Sequence, residues 1–486
     1  MPILPTASPT HQHLIPPPSR PRGRLSGIMN AVIAAFSLAL ILLLGTGWLT
    51  NAAFFLPKFH LQAGVSTPGA AIAFQGFNDV WLRKWGNHQF MQPDSKKILL
   101  SEANDYHMNA VAIQVTADQS RDDSTTISYS ASAPGNTDSI PDQEIEQAIT
   151  DAQAAGLTPI LSLAIRVTDE PTGSSPTLIG QLWYTAPGKI VITGSGSVAT
   201  TEHQWFDSYT TFAVHYAQIS QKYHLPYFIF GNNLVSMTTD SKVTGNGTFG
   251  ASGSPGDKFT CNGRRDCGWR HVINAIKSAT YTDYQGHQQQ GGGYQGKLIY
   301  GASWTNADPA PVEFEHITWW DAVDFIGVSA YFPLTKIAAD VPVATLVDAW
   351  HGKQDDLDLA GQGNIVGRLG AMFDKFKKPI LFTSAGYEST PGANNMPGAA
   401  TPTTRDDLEQ EHDMEALLRA FPQQTAPWFA GVLWSFDEPK WPRSSVNGWA
   451  TSTEWAGDTV TGNGPNDAKL GGKFLAQFYQ QRPVSD

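Results

Sequence analysis

The chain has 486 residues and a formal net charge of -12, a length that one α/β barrel with long loops can absorb without a second domain. Its acidity, with no basic stripe interleaved with aromatics beyond the first residues, excludes nucleic acid as a partner. The 15 Trp, 14 Tyr and 24 Phe are assigned mainly to core packing, with a few left over as platforms for sugar rings.

Residues 1–24 are Pro-rich and polar, the composition of a disordered tail. Arg20, Arg22 and Arg24 then precede an uncharged stretch from Leu25 to Pro57 whose center, Ile28 to Leu49, is dense in Ala, Leu, Ile and Val. That length spans a bilayer. Positive charge before it and none within it predicts a transmembrane signal-anchor over 25–57, the N-terminus inside and the remainder extracellular. The apolar run exceeds an ordinary signal core and no clear small-x-small cleavage site follows it, which favors an anchor over a cleaved peptide. A tether over 58–68 leads to a folded domain over 69–486.

Within that domain, strand-like apolar runs alternate with amphipathic helical patterns, the signature of parallel β/α units. Strands are expected near 71–77, 110–116, 157–164, 226–231, 297–303, 323–330, 378–384 and 429–436. Eight such strands predict a closed (β/α)8 TIM barrel. Ile145, Ala148, Ile149, Ala152 and Ala155 recur at helical spacing between Pro141 and Gly156, a start and a stop signal. Trp205, Tyr209, Phe212, Ala213 and Tyr216 repeat the pattern and are read as a core-facing stripe. Trp269, Val272, Ile273 and Ile276, and then Leu417, Leu418 and Phe421, mark two later helices.

Polar, Gly/Ser/Thr-rich insertions at 117–140, 166–203, 235–265, 385–404 and 438–466 each follow an expected strand, so all would gather on the C-terminal rim of the barrel. A Gly/Gln-rich run at 285–293 precedes a strand and would sit on the opposite face. Cys261 and Cys267 lie close together in a polar loop with no His or Cys at metal-site spacing, which reads as a local disulfide and not a metal site. No cofactor fingerprint is present in the sequence.

Several segments together resemble glycoside hydrolase family 113, β-mannanase-like TIM barrels, over Gly76 to Trp434. Gly76-Phe77 with Trp81 is similar to the opening strand, Trp205-Phe206 and Tyr209 to the helix before strand four, and Tyr294 to Tyr300 with Trp304 to strand five. Trp320-Asp321 followed by Asp324 to Leu334 is the most specific match. Lys378 to Thr383 with Gly386-Tyr387 is similar to strand seven, and Gly431 to Trp434 to strand eight.

The resemblance implies an acid/base Glu after the Gly-Asn that ends strand four and a nucleophile Glu before the hydrophobic-Gly-Tyr of strand seven. Asn232 matches the neighbor of the acid, whereas Asn233 and Ser384 stand at the two carboxylate positions. A retaining glycosidase needs a carboxylic acid to protonate the leaving oxygen and a carboxylate to form the glycosyl bond. An amide does neither, and a serine would need a base. No Glu lies between Glu202 and Glu313 to take over the first role.

Asp437 and Glu438 after strand eight, and Asp79 after strand one, are candidate relocated acids, with solvated or paired loop charges as the simpler reading. Asn232, Trp304, Tyr331 and Trp434 are expected to bind substrate at the rim. The expectation is a membrane-anchored, extracellular, saccharide-binding pseudoenzyme with a mannan-like polysaccharide as partner and no cofactor. Its alternatives are an active mannanase-like glycosidase using relocated carboxylates and a non-catalytic scaffold whose rim binds protein.

Overall fold

The computed structural model describes residues 74–79, 93–120, 124–129, 140–167, 177–178, 198–238, 266–304, 312–337, 339–353, 363–397, 406–436 and 469–480. Contacts divide the chain into Met1–Gly64 and Val65–Asp486, and every described residue belongs to the second unit. The expected anchor over 25–57 lies outside the described residues. Among them, no helix is long and apolar enough to cross a membrane.

Eight parallel strands form the barrel: β1 (Phe74–Asp79), β2 (Ala110–Gln119), β4 (Thr158–Val167), β6 (Tyr227–Asn232), β9 (Lys297–Ser303), β10 (Phe325–Ser329), β11 (Ile380–Ala385) and β12 (Phe429–Phe436). They follow one another in the order β2-β1-β12-β11-β10-β9-β6-β4, and pairing of β2 with β4 over ten residues closes the ring. Two-residue strands β3 (Ile127–Ser128) and β5 (Thr177–Leu178) add antiparallel to β2 and β4.

Alternation along the strands decides what fills the ring. Phe74, Ala110, Ala112, Ile160, Ile229, Ile299, Phe325, Leu381 and Leu433 form one buried apolar cluster drawn from all eight strands. Where a strand keeps its register, the positions two and four residues further along face the same interior, nearer the C-terminal mouth, whereas β6 and β11 slip register near their ends. That rule makes the mouth's chemistry readable from the sequence once the register is known.

Helices cover the outside. α1 (Pro93–Asn104) and α2 (Asp142–Ala154) come first, with Pro141 at the N-cap of α2 and Gly156 just past its end at φ 85°. Ile145, Ala148, Ile149 and Ala152 of α2 are fully buried. The long α3 (Val198–Lys222) turns Trp205, Tyr209, Phe212, Ala213 and Tyr216 inward, all buried, so the stripe is core. After β6 come the single turn α4 (Val235–Thr238) and α5 (Asp266–Lys277). Trp205 stacks on Tyr209 with ring centroids 4.9 Å apart, and Trp269 of α5 on Trp319 at 5.3 Å. Much of the aromatic load is thus packing between barrel and helices.

The Gly/Gln-rich run does not form a plain loop. It contributes a two-stranded hairpin, β7 (Thr280–Thr282) with β8 (Gln288–Gln290), outside the barrel sheet. The remaining helices are α6 (Glu313–His316), α7 (Val343–Trp350), α8 (Ile365–Phe376), α9 (Asp407–Ala420) and α10 (Leu470–Gln480), the last packed on α9.

Candidate functional site

The two strand ends expected to carry chemistry are both irregular. β6 slips its register against β9 between Ile229 and Asn232, which brings Asn232 opposite Gly301. A Cβ at Gly301 would stand 2.2 Å from Asn232 Oδ1 and 2.7 Å from Thr383 Oγ1, so only glycine lets the Asn232 amide lie across the barrel there. That amide donates to Ser162 Oγ at 2.8 Å and to the Leu163 carbonyl at 2.9 Å on β4.

Asn233 follows in the left-handed region at φ 52°, a conformation that Asn enters more readily than most residues with a side chain. Its backbone N–H donates to the Gly301 carbonyl at 2.8 Å and its Nδ2 to Ser329 Oγ at 3.3 Å. Its Oδ1 is buried without a hydrogen-bond partner.

The strand-seven end is organized differently. β11 shifts register against β10 so that Ser384 lies opposite Ser329. Ser384 Oγ is 2.8 Å from Ser435 Oγ on β12, and the Tyr331 hydroxyl hydrogen-bonds both serines. Burial raises the Tyr331 pKa, with the two serine hydrogen bonds pulling the other way. The cluster is uncharged throughout the physiological range.

Asn233, Ser329, Ser384, Tyr331 and Ser435 thus form an arc of amides and hydroxyls from β6 to β12. Such groups bind hydroxyls well, and none can relay a proton as a carboxyl does. Ser329 and Ser435 were not singled out in the sequence. The signal was there: each lies at the strand end on the inward face set by Phe325 and Leu433.

On the other side of the mouth, Asp118 and Arg166 face one another in register on β2 and β4. Arg166 Nε donates to Asp118 Oδ1 at 2.8 Å and its Nη2 to Oδ2 at 2.9 Å, both residues being buried. This carboxylate is committed to a bidentate ion pair.

Glu313 braces the site from behind. Its Oε2 accepts from the Ser303 backbone N–H at 2.5 Å and its Oε1 from Tyr300 OH at 2.7 Å and Thr238 Oγ1 at 2.5 Å. Tyr300 OH in turn accepts from the Leu234 N–H at 2.9 Å, so the chain of bonds ends on the backbone beside Asn233. Burial pushes the Glu313 carboxyl up to about 7, against those three hydrogen bonds.

Two expected substrate platforms are placed elsewhere. Trp434 is 0% exposed and its Nε1 donates to Tyr479 OH of α10 at 3.0 Å. Leu433 belongs to the barrel interior, so its neighbor Trp434 must point outward to the helix layer, and the expectation of a rim platform is corrected. Trp304 is 8% exposed and packs on Phe332, which itself meets Phe314 and Trp350. It offers little open face to a ligand.

Tyr331 is at the mouth, contributing its hydroxyl to the serines. Asp79 is described in its backbone alone, paired with Phe436 and Ile113, while Asp437 and Glu438 lie outside the described residues. Cys267 is disulfide-bonded, and Cys261 lies outside the described residues. Among the described residues, no group of three or more His, Cys, Asp or Glu is arranged to hold a metal.

The sequence profile of Glycoside Hydrolase Family 113 matches residues 81–243 and 259–448. Among solved structures, a GH113 beta-1,4-mannanase is 17% identical with TM-score 0.56, covering 85% of this chain and 100% of that one. A complex of a GH113 beta-1,4-mannanase is 18% identical with TM-score 0.55 and the same coverage. The GH113 beta-mannanase AaManA from Alicyclobacillus acidocaldarius, in complex with ManMIm, is 19% identical with TM-score 0.54, covering 85% of this chain and 99% of that chain. At these identities the structural likeness speaks for the fold. No curated protein sequence matches the chain.

Proposed function

The chain belongs to glycoside hydrolase family 113, and from that premise we propose that its barrel mouth binds a neutral, mannan-like polysaccharide without cleaving it by the retaining mechanism. The supporting observation is the arc from Asn233 to Ser435, which sets neutral hydrogen-bonding groups at the positions where the family resemblance calls for two glutamates. A retaining pair needs two carboxyls about 5 Å apart, one to protonate the leaving oxygen and one to attack the sugar carbon. Asn233 and Ser384 supply no carboxyl.

Binding is served by the same groups. The buried, unpartnered Asn233 Oδ1 is an acceptor that a sugar hydroxyl would satisfy, and leaving it bare costs about 1–3 kcal/mol. The serine and tyrosine hydroxyls can each donate or accept, which suits a polyol. The uncharged stretch at 25–57 supports a further part of the reading, in which the barrel is held at the outer face of a membrane as a polysaccharide-binding module.

The test is calorimetric titration of the full-length chain with β-1,4-mannohexaose, with products followed in the same samples, beside the N233E/S384E and N233D/S384D variants. Binding without cleavage by the unaltered chain, together with hydrolysis gained by about 100-fold or more in a carboxylate variant, is the expected result. Hydrolysis by the unaltered chain would overturn the proposal and direct attention to Asp437, Glu438 and Asp79. No binding of any neutral oligosaccharide would leave the protein-binding scaffold.

A further inference from the structure

The Gly/Gln-rich run singled out in the sequence has no part in the barrel mouth, yet its hairpin walls a second polar cavity. An open cleft of about 560 Å³ lies on the outer flank of the barrel, between α3, the segment at Thr125–Thr126 and the β7–β8 hairpin. That volume is within the range of small-molecule sites, about 300–1,000 Å³. Its lining is unusual for such a site in being almost wholly polar.

Three amides, from Gln204, Gln285 and Gln289, converge on the cleft together with threonine and serine hydroxyls and the carboxylates of Asp207 and Asp283. No Lys or Arg lines it, so an anion would meet two carboxylates and no counter-charge. An apolar ligand would strip water from amides and hydroxyls without replacing their hydrogen bonds. A neutral polyol matches on every count, because each of its hydroxyls can donate to a carboxylate or amide oxygen and accept from an amide or hydroxyl hydrogen.

The walls are fixed in place. Asp207 Oδ1 accepts from the Tyr284 backbone N–H at 3.1 Å, tying the hairpin to α3. Asp283 accepts from the Gln285 and His287 backbone N–H groups at 3.0 and 2.8 Å and from Gln289 Nε2 at 2.8 Å, locking the hairpin turn. On the third side, Ser208 Oγ accepts from the Ile127 N–H at 2.8 Å. Asp207 Oδ2 is buried and completes no hydrogen bond of normal geometry. Burial accordingly raises the Asp207 pKa, although the Tyr284 N–H and the Gln285 side chain lower it. Tyr281 is buried in a small core cluster with Val214 and Ala275 and closes the floor of the cleft.

We propose that this flank cleft, walled by α3 and the β7–β8 hairpin, is a second binding site for a neutral oligosaccharide, separate from the barrel mouth. It would let one chain hold a polysaccharide at two points, and two linked contacts retain a polymer far longer than either alone. Asp207, the glutamine amides and the threonine hydroxyls make the polar contacts.

The experiment is calorimetric titration of the full-length chain with β-1,4-mannohexaose, run on four forms. These are the unaltered chain, a mouth variant (N233G/S329A), and two cleft variants, T211W, which fills the cleft from the exposed face of α3, and Q204A/Q285A, which removes two amides without adding bulk. Circular dichroism of each variant checks that the fold is kept.

The cleft inference expects two equivalents bound by the unaltered chain and one by the mouth variant, with each cleft variant losing the equivalent that the mouth variant keeps, weakened by about tenfold or more. If the mouth reading alone fails, the unaltered chain binds one equivalent, lost with T211W and indifferent to N233G/S329A, and the cleft stands. Binding that the mouth variant abolishes and the cleft variants leave unchanged overturns the cleft inference. So does a cleft that takes calcium, in a parallel titration, and no saccharide.

Discussion

The two halves of the barrel mouth meet the problem of buried polar groups in opposite ways. On β2 and β4, Asp118 and Arg166 are charged and neutralize each other through two hydrogen bonds. On β6, β10, β11 and β12, the side chains are uncharged, and Asn233 keeps an acceptor with no partner. The first half is closed electrostatically, its carboxylate and guanidinium bonded to each other. The second is stable without charge and still has bonding capacity. A mouth built this way favors a neutral guest, since the Asp118 carboxylate is already spent on an arginine.

The largest expected effect lies in the charged half. Asp118→Ala should destabilize the fold by about 3–5 kcal/mol, because Arg166 is left buried with an uncompensated charge. Urea denaturation of the variant beside D118L/R166L separates the two origins of that loss. If the pair is an isolated structural clamp, the double apolar variant recovers most of the stability. Recovery of none would mean that Asp118 supports the neutral half as well.

Next in size is the carboxyl behind the neutral half. Glu313 titrates at about 7 in the fold, above the ordinary carboxylate value of about 4.3. A raised folded pKa means the folded state holds the proton more tightly. Its contribution is therefore complete below pH ~4.3 and is lost as pH rises through about 7. The linked free energy is of order 3 kcal/mol. Denaturation midpoints measured across that window should fall as pH rises, and E313Q should flatten the profile. Glu411 on α9, also lifted to about 7 by burial, with the Glu415 and Asp340 charges adding to the rise and His412 opposing it, has the same sign. A residual slope in E313Q is therefore expected, and E313Q/E411Q should reduce it further, Asp413, Glu409 and Asp207, also raised by burial, keeping a remainder of the same sign.

Within the neutral half, Tyr331→Phe should cost only about 1 kcal/mol, the net value of a typical hydrogen bond. Ser384 and Ser435 remain 2.8 Å apart and keep each other satisfied. A loss several times larger, read from the same denaturation curves, would show the tyrosine hydroxyl to be the organizer of the cluster and not one member of it.

What the sequence made legible follows the same division. The eight barrel strands were expected within a few residues of where they lie, and the α2 boundaries were marked by Pro141 and Gly156. Strong periodicity and punctuation carried those elements. The site is harder to read because motif position alone carries no strand parity. Trp434 was placed at the rim for lying near a strand end, while the inward Leu433 next to it sends its ring to Tyr479. The same parity would have found Ser329 and Ser435. The Asp118–Arg166 pair could not be seen without knowing that β2 and β4 close the ring in that register. Nothing in the composition of 285–293 announced that its glutamines would wall a cleft, because the hairpin is held by side-chain bonds from Asp283 and from Asp207 on a distant helix.

The smallest effect separates backbone from ligand at Asn233. Its φ of 52° costs most L-residues about 1–2 kcal/mol, a penalty that Gly escapes and Asn and Asp reduce. Asn233→Ala and Asn233→Glu should each lose about 1 kcal/mol on that account, whereas Asn233→Gly should stay within about 0.5 kcal/mol of the unaltered chain. Stability changes little in the glycine variant, since it gives up one long hydrogen bond to Ser329 and also removes the unpartnered oxygen. A fall of about tenfold in oligosaccharide affinity for N233G at unchanged stability would then assign the amide to the ligand. Unchanged affinity would make Asn233 a residue chosen for its backbone, leaving Ser329, Ser384 and Tyr331 to do the binding.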